Sequence, residues 1–136
     1  MKKIGYTTGV FDMFHIGHLN VLKKSKMHCD YLIVGITTDE LCKIEKNNLP
    51  IIPLVERMEI VQSIKFVDEV VPQISMDKFS AWEKLKFDVM FVGDDWKGTD
   101  RWISLEKQFS KVGVQIIYLP YTKHTSSTKL RMALGI

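Results

Sequence analysis

Two histidines, His15 and His18, stand three residues apart in the stretch Gly9-Val10-Phe11-Asp12-Met13-Phe14-His15-Ile16-Gly17-His18. At the start of a helix, that spacing puts both imidazoles on one face of the first turn. The free N–H groups of such a turn, with the positive end of the helix dipole, already form an anion site. Two imidazoles add groups that donate hydrogen bonds and can become cationic. Such a corner suits a polyphosphate that gains negative charge as it reacts. Gly17 lets a phosphate approach the backbone where a side chain would obstruct it. The bland alternative is a pair of surface histidines beside a glycine that costs a helix ~1 kcal/mol relative to alanine.

The elements that must position this corner can be read from periodicity. Residues 3–8 form an apolar first strand, and Ile16, Leu19 and Leu22 recur at helical spacing over residues 15–28. Residues 31–37 read as a buried second strand. Residues 38–49 are polar and carry Lys43, Glu45, Lys46, Asn47 and Asn48, which reads as a mobile loop. Pro53 suits the first turn of a helix running to about residue 65, with Leu54, Met58 and Val61 on one face. Residues 67–71 read as a third strand closed by Pro72, followed by a short helix over 77–86 and a fourth strand over 88–92. Trp102, Leu105, Phe109 and Val112 mark another helix, stopped by Gly113. A fifth strand covers 114–119, and Ser126 or Ser127 caps a final helix to about residue 134.

Strands rich in Val and Ile, separated by helices, predict a parallel sheet covered on both faces. The expected fold is therefore α/β: one domain over residues 1–136, Rossmann-like and three-layered (α/β/α), with a five-stranded parallel sheet. Ligands of such sheets bind beyond the carboxyl ends of the strands. Each polar cluster follows a strand: His15 and His18, Lys43 and Lys46, Gly93-Asp94-Asp95-Trp96, and residues 121–128.

Composition narrows the partners. With 46% hydrophobic residues the chain can build a core, and a net charge of +3 is too mild to argue for nucleic acid. No apolar run approaches the roughly 20 residues of a membrane span, and residues 1–6 lack the apolar stretch of a signal peptide. Cys29 and Cys42 fit no metal spacing and read as reduced thiols of a cytoplasmic protein, with a disulfide left open.

The stretch GVFDMFHIGH resembles the GxFDxxHxGH signature of the HxGH nucleotidyltransferases. Within that superfamily the chain is most similar to the bacterial glycerol-3-phosphate cytidylyltransferases. The likeness runs through residues 31–40 (YLIVGITTDE), Glu56-Arg57, residues 66–71 (FVDEVV), residues 92–96 (VGDDW) and residues 126–129 (SSTK). The resemblance implies a reaction in which an alcohol phosphate attacks the α-phosphorus of CTP, giving a CDP-alcohol and pyrophosphate without a covalent enzyme intermediate. It also implies Mg²⁺, carried by the CTP rather than held in a protein cage.

Site residues follow from the same likeness. His15, His18 and Lys46 are the expected catalytic groups. Val10, Phe11, Ile16, Gly17, Tyr121, Thr122, Ser126, Ser127 and Thr128, with the two histidines, are expected at the nucleotide. Lys46, Lys78, Asp95 and Arg57 are expected at the acceptor, although Arg57 could instead form a structural ion pair with an acid. Asp12 is expected to order its turn, and Trp96 to pack at the pocket rim.

The chain departs from the family pattern in two places. Lys43 and Lys46 lie three apart where the family places two lysines two apart, and Tyr121 stands where the family typically has arginine. An aromatic cannot make arginine's bidentate contact to phosphate. The alternatives are an adenylyltransferase acting on a sugar phosphate or flavin, and a module that binds nucleotide without turning it over. The resemblance also implies a homodimer, with residues 66–71 as the expected contact.

Overall fold

The computed structural model describes residues 2–120 and 126–136. Five strands form one all-parallel sheet: β1 (Ile4–Gly9), β2 (Tyr31–Thr37), β3 (Glu69–Gln73), β4 (Val89–Gly93) and β5 (Gln115–Leu119). Their order is β3-β2-β1-β4-β5. The chain therefore winds outward from β1 to one edge, then crosses back to fill the other side. The reversal lies between β1 and β4, whose carboxyl ends flank the crevice where ligands of open α/β sheets bind.

Alternation along the strands sorts the core onto two faces. Leu32, Val34 and Ile36 of β2, with Val89 and Phe91 of β4, pack with Leu22 of α1 (Ile16–Lys26) and Val61 of α3 (Leu54–Gln62). Ile33 and Met90 point the other way, to Trp102 and Phe109 of α5 (Asp100–Ser110), with Phe79 and Trp82 of α4 (Lys78–Leu85) packed against them. The result is the three-layer α/β/α arrangement expected from the strand and helix alternation.

Two local expectations need correction. Residues 38–49 are not simply a loop: α2 (Asp39–Lys46) occupies most of them. Thr38 caps it by accepting from the Leu41 amide, Asp39 and Glu40 favour the first turn, Lys43 and Lys46 the last, and Asn47 ends it at φ 53°. Pro72 does not close the third strand but lies inside it, paired in register with Ile36. β3 is an edge strand, where a missing N–H need not break a ladder. The second strand keeps its expected bounds, and the remaining boundaries move by at most three residues. Cys29 and Cys42 are both free thiols, and among the described residues no helix is long and apolar enough to cross a membrane.

Candidate active site

The turn between β1 and α1 is built from strained backbone held by charged groups. Phe11 and Met13 adopt φ 53° and 48°, in the left-handed region that non-glycine residues rarely enter. Gly9 is required beside them: a Cβ there would stand 2.8 Å from the Phe11 ring. Asp12, buried between the two strained residues, ties them down. Its carboxylate accepts from the amides of Ile51 and Ile52, both at 2.8 Å, and pairs with Arg131 at 3.0 Å. Its carbonyl accepts from the Ser127 hydroxyl at 2.8 Å. One residue thus joins the histidine turn to the α2–α3 connection and to α6 (Ser127–Leu134).

The histidines cap α1 with their own rings. The His15 Nδ1 accepts from the Gly17 amide at 3.0 Å, and the His18 Nδ1 accepts from the His15 amide at 3.3 Å. This is a capping box in which imidazoles replace the usual hydroxyl and carboxylate. An Nδ1 that accepts leaves the proton of a neutral imidazole on Nε2, so both rings present an Nε2–H donor. The ring centroids are 3.9 Å apart. Burial lowers the pKa of His15, and burial, then repulsion from His15, pushes His18 down to about 4 against a small opposing pull from Asp12. Both rings are therefore neutral donors at pH 7. No acidic side chain occupies the first turn of α1, so its positive end is left for a ligand.

From this corner a cavity of about 520 Å³ runs across the carboxyl ends of β1, β2 and β4, within the usual range for small-molecule sites, roughly 300–1,000 Å³. A second space of about 290 Å³ adjoins it at His18, Gly93, Ser127 and Thr128 and takes in His15 and Gly17. The far end of the larger cavity holds Lys78, which is buried at the start of α4. Its Nζ donates to the Thr8 hydroxyl at 3.0 Å and to the Gln73 Oε1 at 2.9 Å. Burial, then the charge of Arg101, lowers its pKa to about 8. An ammonium has three protons, so one donor remains.

Residues 6–133 match the cytidylyltransferase-like family. The chain belongs to that family. It is 37% identical over 132 residues to glycerol-3-phosphate cytidylyltransferase of Bacillus spizizenii, covering 96% of this chain and 95% of the relative. The Staphylococcus aureus enzyme of the same name is 34% identical over 135 residues, covering 98% and 96%. FAD synthase of Pyrococcus abyssi is 38% identical over 119 residues, covering 83% of this chain and 77% of that one. Among solved structures, a lipopolysaccharide core biosynthesis protein from Thermoplasma volcanium matches with a TM-score of 0.75 at 26% identity, over 92% of this chain and all of that one. The protein is thus a nucleotidyltransferase, with a nucleotide and a small phosphate as its substrates.

The cytidylyltransferase-like fold gathers many of the residues expected at the site. Val10, Phe11, His18, Lys46 and Lys78 line the larger cavity. His15, Gly17 and Ser126 line the smaller, while Ser127 and Thr128 line both. Ser126 is the cap of α6, its Oγ accepting from the Lys129 amide at 3.0 Å. Trp96 lines the rim, as expected.

Three expected residues do not reach either space. Ile16 is exposed on the outside of the first helical turn. Asp95 is exposed in the single turn of 3-10 helix after β4, beside Gly93 rather than over the cavity. Arg57 is 1% exposed and lies beneath the site. Its Nε donates to the Ile52 carbonyl at 2.7 Å, one terminal nitrogen to the carbonyls of Val10 and Thr37, both at 2.8 Å, and the other to Asp39 at 2.5 Å. It is a buttress, not an acceptor ligand, because its donors are turned to the frame. Lys43 also lies off the cavity wall, which leaves Lys46 as the α2 lysine at the site. Tyr121 and Thr122 lie outside the described residues. Arg101 and Gln73 line the larger cavity without having been anticipated, and Arg131 lines it too. Arg131 sits one turn past the Ser-Ser-Thr cluster. Nothing in the local sequence points to Arg101.

Proposed function

We propose that the protein transfers the cytidylyl group of CTP to glycerol 3-phosphate, giving CDP-glycerol and pyrophosphate. The observation that carries this reading is the cavity running from the neutral imidazole donor of His18, with His15 on the adjoining space, to a buried ammonium. The likeness to glycerol-3-phosphate cytidylyltransferases over nearly their whole length supports the choice of substrates.

A phosphate oxygen of the acceptor attacks the α-phosphorus. The bond to the bridging oxygen of the β-phosphate breaks, and pyrophosphate leaves. Catalysis of such a transfer is positioning plus stabilisation of charge. The Nε2–H groups of His15 and His18 donate to the α- and β-phosphates as negative charge builds on the leaving group. Because both rings begin neutral, they gain proton affinity as that charge develops beside them. Thr128, with the free amides of the first turn of α6, holds the outer phosphates, while the Ser127 hydroxyl stays on the Asp12 carbonyl. Lys46 approaches the triphosphate from α2, and Lys78 the acceptor phosphate from α4. Mg²⁺ arrives on the triphosphate as part of the substrate, an arrangement that asks only one or two protein oxygens.

Pyrophosphate release with each nucleoside triphosphate tests the reading. CTP with glycerol 3-phosphate and Mg²⁺ should give the fastest release. A rate with ATP equal to that with CTP would remove the cytidine assignment. The likeness to FAD synthase favours one second reading, adenylyl transfer to a flavin phosphate, which predicts activity with ATP and FMN instead.

A further inference from the structure

Arg101 stands in the first turn of α5, and its guanidinium reaches back to donate to the Met76 carbonyl at 3.1 Å. Met76 directly precedes Asp77, whose carboxylate caps α4 by accepting from the amides of Phe79 and Ser80. The helix so capped begins with Lys78. One guanidinium is therefore anchored on the turn that delivers the buried ammonium, and both line the same end of the cavity.

Among the described residues, neither cation has a carboxylate partner. The polar contacts of Lys78 are a hydroxyl and an amide oxygen, and among the described residues neither Lys78 nor Arg101 forms an ion pair. After burial, the charge of Arg101 is what lowers the Lys78 pKa among the described residues. Two like charges at one end of a cavity repel, and burial of one adds a desolvation cost. A ligand with two negative charges relieves both. Guanidinium also has five N–H donors, and the Met76 carbonyl takes one, so an edge remains for paired contacts to phosphate oxygens.

We propose that Arg101 is a specificity-determining residue of the acceptor end. With Lys78 it selects a phosphomonoester dianion and disfavours an acceptor whose phosphate is already balanced by an attached ammonium group. The inference rests on the cavity's far end being the acceptor end of a cytidylyltransferase site.

The test compares wild type with Arg101→Gln and Arg101→Lys. Loss of a paired, charge-assisted contact should raise the KM for glycerol 3-phosphate about 10–100-fold, with CTP affinity within about twofold of wild type. The preference for glycerol 3-phosphate over phosphocholine should fall by a similar factor, and Arg101→Lys should recover part of both. A structural role would not move the pH profile, but this one does. In wild type, kcat/KM for the acceptor falls as pH rises through about 8, where Lys78 loses its proton. Arg101→Gln removes the repulsion, so that limb should shift to higher pH. Inorganic phosphate binding is measured by calorimetry in parallel, with the nucleotide end filled by cytidine 5′-(α,β-methylene)triphosphate. If wild type makes no CDP-glycerol but Arg101→Gln weakens phosphate binding, the anion subsite stands and only the glycerol phosphate assignment fails. Unchanged acceptor KM, selectivity and phosphate affinity would overturn the role of Arg101.

Discussion

Replacing Arg57 by methionine separates a buttress from a substrate ligand. Methionine keeps much of the length and apolar stem of arginine but none of its donors. The substitution strips donors from the carbonyls of Ile52, Val10 and Thr37 and the partner from Asp39. Breaking a buried charge pair from one side costs about 3–5 kcal/mol, and the one-third exposure of Asp39 puts this pair at the low end of that range. Each orphaned carbonyl adds up to about 1 kcal/mol unless water reaches it, and the Val10 and Thr37 carbonyls lie beside the cavity, where water can. A net loss of about 4 kcal/mol follows. A chain of 136 residues shifts its midpoint by about 3–5 °C per kcal/mol, so Tm should fall by about 12–20 °C. Arg57→Lys, which can satisfy one or two of the acceptors, should lose about half as much. Thermal melts and urea titrations give the stability, and steady-state kinetics on protein well below its midpoint give the rest. A methionine variant melting within about 3 °C of wild type, with a raised KM for the acceptor, would refute the buttress and return Arg57 to the substrate.

Three further outcomes follow from the histidine turn. In the ligand-free protein, His18 should titrate near 4 and carry its proton on Nε2, both read from nitrogen–proton correlation spectra. Its folded value lies below the unfolded 6.5, so its contribution to stability is present above that pH and is lost as pH falls from about 6.5 towards 4; a midpoint at or above 6.5 contradicts the capping geometry. His18→Ala should lower turnover by about 10²–10⁴-fold while costing only about 1 kcal/mol of stability, and an active alanine variant removes the catalytic assignment. Asp12→Asn puts an amide group where a carboxylate now receives two amides and Arg131, and should cost about 2–3 kcal/mol by urea titration; an unchanged midpoint would deny Asp12 its joining role.

The histidine corner was legible because every signal for it is local. A β-strand, a short turn and a helix with apolar spacing follow one another within 26 residues, and the site residues sit at their junction. The sheet was legible because buried parallel strands read as unbroken apolar runs. Helix α2 was misread although Thr38, the Asp39-Glu40 pair and the closing lysines are ordinary helix signals. Its only apolar residues are Leu41, Cys42 and Ile44, set among five charged ones, and that polarity hid the helix. Pro72 misled because a strand's place at the edge is settled by sheet order, which the chain does not spell out locally. Arg101 was beyond reach for a related reason, and for Arg57 the sequence left open the choice between acceptor and ion pair that the Asp39 contact settles. The partners of Arg57 lie up to 47 positions away, and Arg101 meets the α4 cap across 25 positions. The sequence shows that such charges exist, but only the packed structure shows where their donors point.

The charged groups around this site divide into those that hold the frame and those left for a ligand, and the backbone explains the division. Left-handed φ at Phe11 and Met13 costs roughly 1–2 kcal/mol per residue, and a strained turn persists only where its surroundings over-determine it. Arg57 grips the carbonyl before the first strained residue, and Asp12 is gripped between the two from both the α2–α3 connection and α6. Holding that turn occupies both charged residues. The groups still able to meet a phosphate are those without such duty: the two Nε2–H donors, Thr128 and the free amides of α6, the remaining proton of Lys78, Lys46 on its exposed helix, and the open edge of Arg101. A substitution at the first set should therefore register in melting before kinetics, and one at the second in kinetics before melting. A frame residue whose loss changed KM alone would break the division.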